Sequence, residues 1–289
     1  MRENWGRWGD ADEGGALNLI SAEQVTRAAS LVRHGRVVEL AQVISSALPL
    51  PKYRPGVSHF MNRSGADYAA GHPHRGGFQY ADDTVLLPLH SGTHIDALCH
   101  CWYSDSMYNG FAATEVRGSG ARRLGIDKTG PIVTRGVLLD FVTLAGRPLE
   151  DGFSIGADML HEALSRSGTT IQPGDAVLLR TGWQERQEAG SQIDFYAEPG
   201  IDLGAAMILV EAGASVIGAD NYSVEVLPFP QGTVFPVHQR LIRDFGIPLL
   251  EGLVLAPLAA HGVSTFLFVC TPLKIKGGTG SPVNPVAIL

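Results

Sequence analysis

The spacing of apolar positions along this chain switches several times between helical and strand periods, and the switches predict a mixed α and β protein. Between Ser21 and Arg33, Val25, Ala28, Ala29 and Val32 fall on one helical face. Ser21 and Gln24 have capping-box spacing and Gly35 supplies a stop, so a helix is predicted over 21–33. Val37, Val38 and Leu40 then predict a strand over 36–41. Further strands are predicted over 84–88, 136–142, 176–181, 215–219 and 265–270, and helices over 156–167, 203–211 and 236–244. From 49 to 80 the chain is rich in Gly, Pro, Asn and His and follows neither period. That stretch reads as a long surface loop, of the kind that forms lids or binding loops.

No linker or repeat interrupts the pattern. One domain over 1–289 is expected, with an N-terminal extension over about 1–35. At 289 residues and 45% hydrophobic content, the chain can bury a sizeable core. Its formal net charge of -7 argues against nucleic acid, because the only basic concentration, around Arg117, Arg122 and Arg123, is short and broken by glycines. Three cysteines cannot build a disulfide framework. Neither a signal peptide nor an apolar run near the roughly 20 residues of a membrane span is present, so a soluble, cytoplasmic protein acting on a small molecule is expected, with no membrane partner.

The chemistry concentrates in one place. His90-Ser91-Gly92-Thr93-His94-Ile95-Asp96-Ala97-Leu98-Cys99-His100 gathers three of the ten histidines and a carboxylate within eleven residues. On a helix, Asp96 would point about 200° away from His94. On extended chain His90, His94 and Asp96 share a face, yet His90 and Asp96 would lie about 20 Å apart at about 3.3 Å per residue. The backbone must therefore bend, and Gly92 is the residue that permits it. Two imidazoles and a carboxylate can then converge on one cation, leaving coordination positions open as catalytic sites do. His100 is left over, placed for general acid or base work or for a structural role.

The motif resembles His-x-Gly-Thr-His-x-Asp-x-Pro-x-His, the signature of the cyclase family of metal-dependent hydrolases, which includes bacterial kynurenine formamidase and isatin hydrolase. Leu98 stands in the proline position. The resemblance continues through Arg180-Thr181-Gly182-Trp183, Gly218-Ala219-Asp220, Phe235-Pro236-Val237-His238 and the run from Pro272 to Pro282. It implies a swivelling β/β/α domain of the α/β class with a mixed β core, assembled as a homodimer or homotetramer. It also implies a divalent cofactor, Zn2+ or Mn2+, one or two ions per subunit. By that resemblance His90, His94 and Asp96 would hold the first ion and His100 would be the catalytic histidine; as in the two-metal members, Asp96 would bridge to a second ion held by His238 and Glu251, whereas isatin hydrolase manages with one.

On the residues alone, His238 either ligates or packs the helix after Pro236. Glu251 sits in the apolar run from Pro248 to Leu253, where an unpaired carboxylate is costly, so a partner is expected for it. His59, Met61, Trp102 and Tyr103 flank the motif and are candidates to line a substrate pocket, or else plain packing. His72-Pro73-His74 reads as an exposed turn. The expected reaction is hydrolysis of an amide, lactam or lactone by metal-bound hydroxide. The alternatives are a metal-dependent cyclase or dehydratase and a non-catalytic ligand-binding member of the fold.

Overall fold

A computed structural model describes residues 3–72, 75–191 and 193–289, so Pro73 and His74 of the expected turn lie outside the described residues. Nine strands among those residues form one sheet: β1 Val37–Glu39, β2 His94–Asp96, β3 Ile132–Asp140, β4 Ala176–Arg180, β5 Val216–Ala219, β6 Leu249–Glu251, β7 Thr265–Cys270, β8 Gly280–Pro282 and β9 Val286–Ile288. Their order is β1-β9-β7-β3-β4-β5-β6-β2-β8. The pairs from β3 to β6 are parallel, and the outer pairs on both sides are antiparallel.

Composition explains this division. In β4, Ala176, Val177, Leu178 and Leu179 are all buried, and so is every residue of β5. Parallel strands covered on both faces read as continuous apolar runs. β7 instead alternates half-buried and buried positions, as a strand with one open face does. Helix α1, Ala22–Ala29, packs on β3 and β7, while α2, Ala157–Ser167, packs on β3 and on α3, Leu203–Ala212. The segments carrying Thr181 and Asp220 meet at the ends of β4 and β5. There the Asp220 carboxylate accepts from the Thr181 hydroxyl at 2.6 Å and the Gly182 N–H at 2.7 Å.

The mixed α and β class holds, and the strand over 265–270 falls where the pattern puts it. Helix α1 is shorter than 21–33, because beyond Ala29 the chain tightens into bonds from Leu31 N–H to Ala28 O and from Val32 N–H to Ala29 O. The stretch over 49–80 is not a plain loop. Ser58–Arg63 pairs antiparallel with Asp82–Leu86, and Gly65–Ala69 forms a helical turn between them. Every residue of the two strands but Arg63 is exposed, so no buried face imposed an alternation on Ser58–Arg63. The expected strand over 84–88 accordingly starts earlier, at Asp82, and ends at Leu86. Among the described residues, no helix is long and apolar enough to cross a membrane.

Gly136 in β3 pairs with Phe266 in β7, and a Cβ on Gly136 would lie 2.1 Å from the Phe266 ring. Gly136→Ala is therefore expected to destabilise the fold by about 2 kcal/mol through overpacking. Gly130→Ala, with nothing within 4 Å of the added carbon, is expected to stay within about 0.5 kcal/mol. Urea midpoints of the two variants check the contrast, and equal midpoints would refute it.

Candidate metal centre

The centre is built on a strand register. β2 pairs with β6 so that His94 stands opposite Glu251, and β2 pairs with β8 so that Asp96 stands opposite Gly280. His94 and Asp96, two residues apart, share a face with Glu251. Gly92 makes the bend before the strand with φ of +58°. Gly280 leaves room for His90, since a Cβ there would lie 2.7 Å from the His90 ring. His238 arrives from α4, Pro236–His238, whose chain continues as a π-helical turn over Gln239–Asp244.

Asp96 is the hub. Its Oδ1 lies 2.7 Å from His90 Nδ1 and 3.8 Å from His94 Nε2, and its Oδ2 lies 4.0 Å from His100 Nε2 and 3.9 Å from His238 Nε2. Glu251 closes the far side, with Oε2 at 3.1 Å from His94 Nε2 and Oε1 at 3.2 Å from His238 Nε2. His90, His94, Asp96, His238 and Glu251 are buried, whereas His100 is half-buried and on a cavity wall.

Hydrogen-bond partners set the tautomers. His94 Nδ1 donates to the Gly92 carbonyl at 2.8 Å, and His238 Nδ1 donates to Glu225 Oε1 at 2.5 Å. Glu225 also accepts from the backbone N–H groups of Val237 and His238, which fixes the start of α4. Both Nε2 atoms are thereby aimed at carboxylates, and in the neutral imidazole each is a lone pair. His94 Nε2, Asp96 Oδ2 and Glu251 Oε1 are buried without a well-formed hydrogen bond.

Buried imidazole nitrogens and carboxylates this close together require positive charge between them, a proton or a metal ion. The donor set, imidazole nitrogen with carboxylate oxygen, suits a divalent metal ion, and the outer N–H bonds to a carbonyl and a carboxylate are those that orient metal-binding histidines. His94 with Asp96 and Glu251 forms one group of metal-holding geometry, and His90 with Asp96 and His100 forms a second. The residues present therefore fit a divalent ion.

The ionisation of these groups follows from the same crowding. Burial disfavours a charged Asp96, but His100, His90 and His94 hold its carboxyl well below the usual range. Burial likewise disfavours a charged His238, yet the Glu225 carboxylate bonded to its Nδ1 and the Glu251 carboxylate beside its Nε2 raise it well above an ordinary histidine. His100 goes the other way, pushed down to about 4 by burial, and is neutral at pH 7. Burial pushes the Cys99 thiol up to about 12 and the Cys101 thiol up to about 11, so neither is a thiolate nucleophile.

A family model described as putative cyclase matches residues 38–226, more than half of the chain. The chain belongs to the putative cyclase family. Isatin hydrolase from Roseibium aggregatum is 29% identical over 225 residues, which span 73% of this chain and 75% of that protein. A crystal structure described as a novel cyclase superposes with a TM-score of 0.92 at 34% identity, covering 100% of this chain and 98% of that one. Isatin hydrolase A from Ralstonia solanacearum shares the fold, with a TM-score of 0.65 at 23% identity over 87% of this chain and 91% of its own.

In this cyclase-family chain the structure brings His90, His94, Asp96, His100, His238 and Glu251 into one cluster. It does not bring His59, Met61, Trp102 or Tyr103 to the cavity beside that cluster. His59 pairs with Asp83 at 2.7 Å on the exposed hairpin, where Met61 is exposed as well. Trp102 is exposed too, and the Tyr103 hydroxyl is tied to Asp244 at 2.7 Å with Arg243 over its ring. The cavity, of about 680 Å3, is walled instead by Tyr53, Phe195, Tyr196, Tyr222, Phe229 and Phe235, together with Arg54 and Glu198. Those residues come from segments without periodicity. Glu225 was findable, because Val224-Glu225-Val226-Leu227 is as apolar a setting as that of Glu251 and poses the same need for a partner.

Glu198 is fully buried, with Oε2 accepting from the Tyr222 N–H at 2.7 Å and the Ser223 hydroxyl at 3.1 Å, and burial pushes its carboxyl up from 4.5 to about 8. Between those values the unfolded chain has released the proton that the folded chain keeps, so this group lowers stability as pH rises from about 5 to about 8. Glu198→Gln, which mimics the neutral acid, is expected to lose less Tm than the parent over that range. Parallel Tm curves would exclude the shifted carboxyl.

Proposed function

We propose that this chain is a metal-dependent hydrolase that opens the carbonyl–nitrogen or carbonyl–oxygen bond of an amide, lactam or lactone. The observation that carries the reading is the pair of buried Nε2 atoms, on His94 and His238, that converge on the carboxylates of Asp96 and Glu251. Those four residues would hold a divalent ion, with His90 across Asp96 completing the set or serving a second ion. A bound divalent ion supplies a Lewis acid and lowers the pKa of a water ligand from about 15.7 to about 7. A mixed imidazole and carboxylate set suits Zn2+ and Mn2+ alike.

The rest belongs to the chain. His100, neutral at pH 7 and on the cavity wall, accepts the proton of the attacking water at Nε2 and returns it to the leaving nitrogen or oxygen. Asp96, 4.0 Å from that nitrogen, stabilises the imidazolium formed in between. The aromatic walls seat a planar substrate and keep bulk water from the centre. The relative named isatin hydrolase supports ring opening of a cyclic amide as the reaction to test first.

His100→Ala is expected to keep the metal content of the parent and to lose about 100-fold or more in kcat. Elemental analysis beside steady-state kinetics on a lactam panel reads both quantities, and parental turnover in the variant would overturn the assignment. Chelator treatment is expected to abolish turnover, with restoration by added Zn2+ or Mn2+. Activity that survives in protein shown to be free of metal would refute the metal dependence.

A further inference from the structure

One charged group on the cavity wall has no counter-charge among the described residues. Arg54 donates through Nη1 to the His90 carbonyl and to the Tyr222 hydroxyl, and its guanidinium lies 5.4 Å from the Tyr53 ring and 5.2 Å from the Tyr222 ring. Among the described residues it forms no ion pair, and its Nε and Nη2 donate to no protein group. Elsewhere in this chain that same edge of the guanidinium grips a carboxylate with two bonds. Arg180 does so with Glu185 at 2.6 and 2.9 Å, and Arg135 does so with Asp175 at 2.9 and 2.5 Å.

The carboxylates nearest to hand are already committed. Glu251 is turned to His94 and His238, and Glu198 is held by Tyr222 and Ser223, its burial keeping it neutral below about pH 8. The wall is therefore aromatic with one uncompensated, planar, two-pronged cation. Such an edge matches a carboxylate in geometry and in charge.

We propose that Arg54 is a specificity residue that pairs through Nε and Nη2 with a carboxylate carried by an aromatic substrate seated in this cavity. The proposal deepens the hydrolase reading by naming the substrate class, and it rests on that reading only for the word substrate. A volume of about 680 Å3 accommodates a two-ring acid with room for a further substituent.

The test is calorimetric titration of the metal-loaded protein with 2-naphthoate and with its neutral isostere 2-naphthamide. The parent is expected to bind the acid at least ten-fold more tightly than the amide. Arg54→Gln is expected to bring the two Kd values within two-fold, and Arg54→Lys to retain part of the preference, since a single ammonium replaces the fork. The Kd for 2-naphthamide and the metal content report that the cavity and the His90 loop survive in each variant. Equal affinities in the parent would overturn the proposal. So would a preference that persists in Arg54→Gln, which would assign the carboxylate to the metal ion instead. Because the readout is equilibrium binding, a protein that shows the Arg54-dependent preference yet turns over no amide, lactam or lactone would refute the hydrolase reading and leave this one standing.

Discussion

The antiparallel pairing of His94–Asp96 with Leu249–Glu251 is the constraint from which the rest of the centre follows. Register in a sheet has a period of two, so a slip of β2 by one residue would turn His94 and Asp96 to the face opposite Glu251. With His94 opposite Glu251, the two side chains start from neighbouring backbone positions, and Asp96 follows on the same face. The register is itself secured by burial. Ile95 and Leu250 point the other way into the core, so the apolar demand on one face fixes the polar chemistry on the opposite one.

A buried group of imidazoles and carboxylates is expensive unless each member is oriented, and the orientation comes from atoms that touch no substrate. The Gly92 carbonyl and the Glu225 carboxylate each take one imidazole N–H, which determines where the other nitrogen's lone pair points. The bend that brings the Gly92 carbonyl under His94 needs positive φ. The same loop is tied to the cavity, because the His90 carbonyl accepts from both Arg54 and Tyr222. A change in how the aromatic wall is filled therefore reaches the metal-binding loop through a single carbonyl.

The fold was legible where residues obey a period and illegible where they do not. Ala176–Arg180 and Thr265–Cys270 read correctly because burial on two faces, or on one, writes a continuous or an alternating apolar pattern. Three strands that build the site, His94–Asp96, Leu249–Glu251 and Gly280–Pro282, have three residues each and are held by their neighbours rather than by propensity. The cluster residues were legible for a different reason, since imidazole and carboxylate at that spacing have few uses. The cavity wall was not, because Tyr53, Phe195 and Phe235 are ordinary aromatic residues until folding brings them together. His59 and Met61, assigned as substrate positions by proximity in sequence, lie on an exposed hairpin and outside the lining of the cavity.

This division bears on how far likeness to relatives reaches. The family match ends at residue 226, so it takes in the His90 to His100 motif and stops short of His238 and Glu251. Those two enter the centre through the β2–β6 register and the start of α4. The centre is thus carried by the sheet. The wall is not, because Phe195, Tyr196, Phe229 and Phe235 come from connecting segments that can vary without disturbing the strands. A chemistry held in common can therefore coexist with a substrate that differs between members. The role proposed for Arg54 belongs to that wall, where a guanidinium edge left free by the fold would select a carboxylate-bearing ligand over a neutral one.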